Sequence, residues 1–303
     1  MVHVLDRKKG EDFLWSRLNP VLFIVLWSSG FTFVKMGLAY AQPMTFLALR
    51  YVVVLAVFLP LFFVFRPPLP KNAVEWGHLA TVGLLVHALY FGLVYVAIYL
   101  GVSAGGMGLI ASLQPILVAV LAPRLAGERV SARQWLGLGL GLGGTVLVIV
   151  SRLDVEATSL LGLLSAFGAL AGLTAGTLYE KRFGVSSHAV TSNLVQYGVG
   201  FLLALCLAWW FEDAHVAWTG ELFLSVGYLA IGNSLISTTL LLAMVRRGEA
   251  LRVSTMFFMV PPTAALTAWA LLGEILPRPA WAGMVLASVG VAIVVRSSRA
   301  PIS

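Results

Sequence analysis

The chain has 303 residues, of which 59% are hydrophobic and only 11% charged, with a mean hydropathy of +0.93. A water-soluble domain carries about 25% charged residues, so this composition excludes a solvated globular surface and makes lipid the surroundings of most side chains. The net charge of +7 and pI of about 9.8 would suit a nucleic-acid binder, but the charges are distributed as in a membrane protein and leave no case for a nucleic-acid partner.

Residues 1–18 open with a charged stretch containing Arg7, Lys8, Lys9, Glu11 and Asp12. The apolar run behind it is too long for the core of a signal peptide, so the segment is expected to be retained. A helix needs about 20 mainly apolar residues to cross a bilayer core. That length predicts ten spans: Asn19–Tyr40, Pro43–Phe65, Trp76–Leu100, Ser103–Leu121, Ala132–Ser151, Ser159–Tyr179, Ala189–Phe211, Leu222–Met244, Arg252–Leu272 and Pro279–Val295. The single cysteine, Cys206, sits inside an apolar run and reads as a small hydrophobe.

Cytoplasmic loops retain Lys and Arg. With the N-terminus inside, sixteen of the twenty basic residues fall in inside segments, among them Arg66, Arg124, Arg182, Arg246 and Arg296. Only Arg152 and Arg278 fall outside, and Lys35 and Arg50 lie within spans. Both termini are therefore expected in the cytoplasm.

At a constant offset of 146 residues the two halves align without a gap. Gly30 meets Gly176, Lys35 meets Lys181, Tyr51 meets Tyr197, Glu75 meets Glu221, Pro115 meets Pro261, and Gly127-Glu128 meets Gly273-Glu274. Trp135/Trp281, Gly137/Gly283 and Gly144/Gly290 continue the register. Each half has five spans, an odd number, so the second must enter the membrane inverted. The expected organisation is a cytoplasmic segment (1–18), a first five-helix repeat (19–151), an external linker (152–158), a second repeat (159–296) and a cytoplasmic tail (297–303). The predicted fold class is thus an all-α membrane protein of ten transmembrane helices in two inverted-topology repeats. Inverted repeats suit alternating access around a site near the midplane; they also occur in channels, but a carrier is the preferred reading.

The first span carries Leu26-Trp27-Ser28-Ser29-Gly30-Phe31 followed by Lys35, and the second carries Leu49-Arg50-Tyr51. The fourth and ninth spans each hold a mid-helix proline and end in Gly-Glu. In their order and duplication these motifs resemble the drug/metabolite transporter superfamily, in particular the bacterial ten-helix EamA-type exporters, over nearly the whole chain. Ser28 stands where that family usually has glycine. Among its members the chain is most similar to amino acid exporters, including the aromatic amino acid group. The resemblance implies an inner-membrane exporter of amino acids or analogues.

Candidate cavity residues follow from polar groups at membrane depth, which are costly and tend to face the bundle interior. In the third span His87, Phe91, Tyr95 and Tyr99 are four apart and share one helical face, with Tyr90 beside His87. Tyr95 and Tyr99 have an alternative place in the interfacial aromatic belt. The repeat mate of His87 is Asn233, flanked by Ser234, Ser237 and Thr238; this asparagine suits either a central site or an interhelical hydrogen bond. Trp27 with Ser28 and Ser29, and Ser254 and Phe258 in the ninth span, are further candidates. Arg50, whose mate is the neutral Gln196, suits either a substrate carboxylate or a structural bond to helix-end carbonyls. Lys35 and Lys181 suit snorkelling to the interface. Pro115 and Pro261 read as hinges or as static kinks. The glycines from Gly137 to Gly144 read as a close-packing face, within the bundle or between protomers.

No acid falls at mid-membrane depth in these spans, and no Walker-type loop is present. His87 is the one side chain at that depth that titrates near neutral pH when unperturbed. The expected energetics are therefore facilitated export down the substrate's own gradient, with a proton-coupled drug or metabolite exporter of the same superfamily as the alternative. An intramembrane enzyme is the distant alternative, and the scattered histidines offer it no metal-ligand spacing or nucleophile–base pair. No cofactor and no metal is expected. The expected partners are a small-molecule substrate (an amino acid or analogue) and the lipid bilayer, with a monomer favoured over a homo-oligomer.

Overall fold

The computed structural model describes residues 18–150, 159–185, 187–213, 215–248, 250–264, 266 and 277–297. In lipid every backbone N–H and C=O must be satisfied within the protein, which leaves helices as the economical solution. Ten are traced among the described residues: α1 (Asn19–Gly37), α2 (Pro43–Phe65), α3 (Ala73–Tyr99), α4 (Ala104–Leu125), α5 (Ala132–Val150), α6 (Leu160–Phe183), α7 (Ala189–Phe211), α8 (Gly220–Arg247), α9 (from Ala250 through 264) and α10 (Arg278–Ser297). Eight of them, α1 to α4, α6 to α8 and α10, are long and apolar enough to cross a membrane by length and composition. The far end of the expected ninth span, with Gly273-Glu274, lies outside the described residues.

Helix starts follow local chemistry. Pro20 and Pro43 occupy first turns, where a missing N–H costs nothing. The side chains of Asn72, Ser103, Ser159 and Thr219 accept from the N–H groups of Glu75, Gly106, Gly162 and Leu222. Glu75 and Glu221, a matched pair in the repeat, each lie in a first turn, where a carboxylate complements the helix dipole. Several helices outrun their predicted spans. α6 continues to Phe183 and α8 to Arg247 because hydropathy marks only the lipid-embedded part, while Lys181, Arg182, Arg246 and Arg247 complement the last turns beyond it.

Each repeat departs from α-helical winding at equivalent places. α3 is π-helical over Gly83–Tyr90 and α8 over Leu229–Thr238, and the two stretches begin 146 residues apart. α4 breaks at Ser112 and Leu113 just before Pro115, and α9 passes through a 3-10 turn at Thr255–Met259 just before Pro261. A proline cannot bond the carbonyl four residues earlier, so the turn preceding it is free to rewind.

α5 and α10 form the most extensive helix pair among the described residues. Their backbones meet directly: a Cβ built on Gly144 would lie 2.5 Å from the carbonyl oxygen of Gly283, and one on Gly290 would lie 2.5 Å from that of Gly137. The glycine face of the fifth helix is therefore used within the bundle. On the other side of the molecule α2 packs along α7, and Tyr51 meets its repeat mate Tyr197 ring to edge at 5.3 Å. Equivalent residues touch only near a pseudo-two-fold axis, which therefore passes through both helix pairs.

Gly290→Val is expected to force backbone separation of α5 and α10 and to destabilise by about 1–3 kcal/mol, whereas Gly139, with nothing within 4 Å of a built Cβ, should accept alanine without loss. Thermal unfolding in detergent of the two variants checks this.

Candidate functional site

The centre of the bundle is built on Arg50, whose side chain is completely buried. Its guanidinium donates from Nε to Ser234 Oγ (2.7 Å), from Nη2 to Asn233 Oδ1 (2.7 Å) and from Nη1 to the Tyr95 hydroxyl (3.3 Å). Its Cζ lies 4.3 Å from the centre of the Phe91 ring, a cation–π distance. All these partners are neutral, and among the described residues no carboxylate lies within ion-pairing reach. The interaction ties α2 to the π-helical part of α8 and to α3.

The repeat mates of Arg50 and Asn233 are Gln196 and His87. Both are buried beside the α3–α7 contact, where a Cβ on Gly200 would lie 2.7 Å from that of His87. Neither His87 ring nitrogen nor either end of the Gln196 amide has a hydrogen-bond partner in the described structure. The centre thus has two pseudo-equivalent polar halves, one bonded and one open. Tyr51 donates to the His87 carbonyl (2.6 Å) and Tyr197 to the Ser234 carbonyl (2.9 Å). Both acceptors lie in the π-helical stretches, where irregular winding leaves carbonyls available and where functional sites are often found.

An aromatic wall closes one side. Trp27 stacks on Tyr90 (5.7 Å, 16°) and meets Phe91 at 5.9 Å, Phe23 at 5.3 Å and the edge of Phe257 at 5.3 Å. Gly30 permits the α1–α8 approach, since a Cβ there would fall 2.6 Å from the Asn233 amide nitrogen. A cavity of about 10 Å3 remains between Trp27, Tyr90, Phe91, Arg50 and Asn233, room for about one water.

Both faces of the bundle carry bonds that tie helices together. On the face bearing the basic loops, Glu180 of α6 is buried and pairs with Arg246 of α8. Lys181 donates to the Gly248 carbonyl (2.5 Å) and so is bonded rather than snorkelling, while Lys35 is exposed. Arg182 donates to the Leu125 carbonyl (3.1 Å), and the Glu128 carboxylate accepts from the Ala250 and Leu251 N–H groups (2.6 and 3.2 Å), capping α9. On the opposite face the Glu212 carboxylate accepts from the Met44 and Thr45 N–H groups at 2.7 Å each, capping α2, and Ala217 N–H donates to the Tyr40 carbonyl. A cavity of about 30 Å3, lined by Asn193, Gln196, Thr239 and Arg246, lies between α7 and α8. A far larger groove of about 660 Å3 runs along α2, α3, α6 and α7, but leucines such as Leu84, Leu93, Leu161 and Leu203 line most of it, with Gln42, Tyr99 and Glu212 as its polar side chains. It has the make-up of a lipid-filled furrow.

Of the residues singled out in the sequence, Trp27, Arg50, His87, Tyr90, Tyr95 and Asn233 come together at this centre. Ser237 donates to the Phe23 carbonyl (3.2 Å) and fastens α8 to α1. Ser254 is buried with its hydroxyl unpartnered. Phe258 packs over Gly141 in a separate cluster with α4, α5 and α10, and Tyr99 is 53% exposed and lines the apolar groove. Pro115 and Pro261 follow the two helix breaks. Sequence reasoning passed over Tyr51, Tyr197 and Phe257 as site residues. The doubling of Tyr51 in Tyr197 was the available signal; no pattern separated Phe257 from Phe258.

Glu180→Gln should loosen the basic face. Ser192→Cys, buried in the adjoining α7 turn, is then expected to react at least about tenfold faster with a polar thiol reagent, a shift of about 1.4 kcal/mol in the open population. The rate measured in a Cys206→Ala background checks this.

The sequence profile of the EamA-like transporter family matches residues 18–150 and 160–296. Curated relatives include the probable amino-acid metabolite efflux pump of Escherichia coli K12, 27% identical over 282 residues and covering 90% of this chain and 92% of that protein. The uncharacterized transporter YvbV of Bacillus subtilis is 25% identical over 281 residues, 91% of this chain and 90% of its own. A solved crystal structure superposes with a TM-score of 0.74 at 21% identity, covering 93% of this chain and 98% of the other, a likeness of fold. With two tandem profile matches over most of its length and a helical bundle folded about a pseudo-two-fold axis, the chain belongs to the EamA-like transporter family.

Proposed function

We propose that this chain exports amino acids, chiefly apolar and aromatic ones, and related small metabolites across the bacterial inner membrane by alternating access. The observation that carries the reading is the pair of repeat-related polar couples at the centre, Arg50 with Asn233 and Gln196 with His87. A site on the axis of an inverted repeat is reached from either face by exchanging the conformations of the halves. Arg50 supplies a carboxylate partner, and Trp27, Tyr90 and Phe91 supply the wall for an apolar side chain. The printed names of the Escherichia coli and Salmonella typhimurium relatives, probable amino-acid metabolite efflux pumps, support the substrate class.

In this reading the basic loops and both termini are cytoplasmic, following the positive-inside bias, and the unit is a monomer. Pro115 and Pro261 act as hinges, and the Glu180–Arg246 and Glu212–α2 ties are the alternate latches. Transport is facilitative, because among the described residues each carboxylate lies at a helix end or in a connection. One observation favours a second reading, proton coupling: both ring nitrogens of His87 are buried without a partner.

Uptake of labelled aromatic amino acids and their derivatives into liposomes holding the purified chain, with and without a pH gradient, tests both. The expected flux is saturable and independent of the gradient, and Arg50→Ala is expected to lower kcat/KM by about a hundredfold or more through loss of a charge-assisted bond. A substrate-driven proton flux that disappears in His87→Ala would establish the second reading instead.

A further inference from the structure

The charge balance of the centre restricts what it accepts. Arg50 is fully buried, and its three hydrogen-bond acceptors are a serine hydroxyl, a tyrosine hydroxyl and an asparagine carbonyl. A guanidinium has five N–H donors, so two remain for a ligand, and Arg50 lines the cavity beside Trp27 and Tyr90. Buried charges are ordinarily paired, yet the described carboxylates are committed elsewhere: Glu180 pairs with Arg246 at the basic face, and Glu212 caps α2 at the opposite face. The unpartnered groups facing the other half, His87 and Gln196, contain no acid. The Phe91 face, the nearest π surface, is already under the guanidinium.

A zwitterion would satisfy Arg50 with its carboxylate. Its ammonium would then stand close to the buried Arg50 guanidinium with no acid to receive it, and like charges in a low-dielectric site repel strongly. A carboxylate without an ammonium leaves a neutral complex. Resting on the reading of this centre as the substrate site, we propose that among amino acids and their related metabolites the carrier favours organic monoanions, carboxylates with an apolar or aromatic body whose amino group is absent or acylated, and exports them electrogenically. Over a full cycle Arg50 returns to its starting position, so each turnover moves one net negative charge outward. An inside-negative potential then drives export with no coupling ion, by about 50-fold in the concentration ratio per 100 mV. A chain with no described carboxylate at membrane depth needs no other source of drive.

The test uses the full chain purified into liposomes, with potassium and valinomycin setting the potential and protein-free liposomes as the blank. The probes are N-acetyl-L-phenylalanine (an anion), L-phenylalanine (a zwitterion) and L-phenylalaninamide (a cation). The expected result is saturable N-acetylphenylalanine flux with kcat/KM at least about tenfold above that of phenylalanine, no carrier-dependent flux of the amide, and a steady-state ratio that follows the potential at about 50-fold per 100 mV. Arg50→Gln should abolish the preference, and thermal stabilisation of the wild-type protein by N-acetylphenylalanine over phenylalanine reads it without any variant. Equal or better transport of phenylalanine, or an N-acetylphenylalanine ratio indifferent to potential, overturns this inference and leaves the amino-acid carrier standing. Absence of saturable flux for all three, from protein that is monodisperse and unfolds cooperatively, overturns both.

Discussion

One buried cation organises the interior. Taking a guanidinium out of water costs on the order of several kcal/mol even after relaxation, and the helices around Arg50 are arranged to offset that cost with neutral dipoles. Asn233 and Ser234 reach it because α8 is π-wound where they sit, Tyr95 reaches it from α3, and Phe91 lies beneath it. The same winding frees the carbonyls that accept from Tyr51 and Tyr197. The irregular backbone is confined to the protein interior, where partners exist for it, as a bilayer demands.

The second half of the centre lacks what the first has. Gln196 and His87 occupy the equivalent positions, but no hydrogen bond of ordinary geometry satisfies their polar atoms in the described structure. The asymmetry has an energetic meaning. Two halves with identical chemistry would give two states of equal energy, whereas a charged, fully bonded couple on one side and an unsatisfied neutral couple on the other bias the empty bundle toward one arrangement. A ligand that engages both couples redistributes that bias.

Much of the architecture was legible before any coordinates. Hydropathy and length placed α2 and α7 at their observed boundaries, because proline at Pro43 and the aromatic end at Phe211 coincide with the ends of the apolar runs. The register of 146 residues showed the inverted repeat because it persisted through loops, which carry no lipid-imposed similarity. At the site, depth and polarity pointed to Arg50, His87 and Asn233, and the repeat related them in pairs. Helical winding was not legible: the fourfold spacing from His87 to Tyr99 implies one face only for an α-helix, and π-winding over Gly83–Tyr90 changes which residues share it. Nor could periodicity show which of Phe257 and Phe258 touches Trp27, since that depends on the 3-10 turn before Pro261.

The contact between α5 and α10 pairs Gly144 with Gly283 and Gly137 with Gly290. In repeat numbering Gly283 is the mate of Gly137 and Gly290 the mate of Gly144, so the two contacts are each other's reciprocals. This is the signature of an isologous interface, in which one surface patch meets a copy of itself across a two-fold axis. Two separate five-helix chains of a single sequence, inserted in opposite senses, would meet through this same patch. Along its fifth and tenth helices the chain therefore joins its two halves as two copies of one subunit would join.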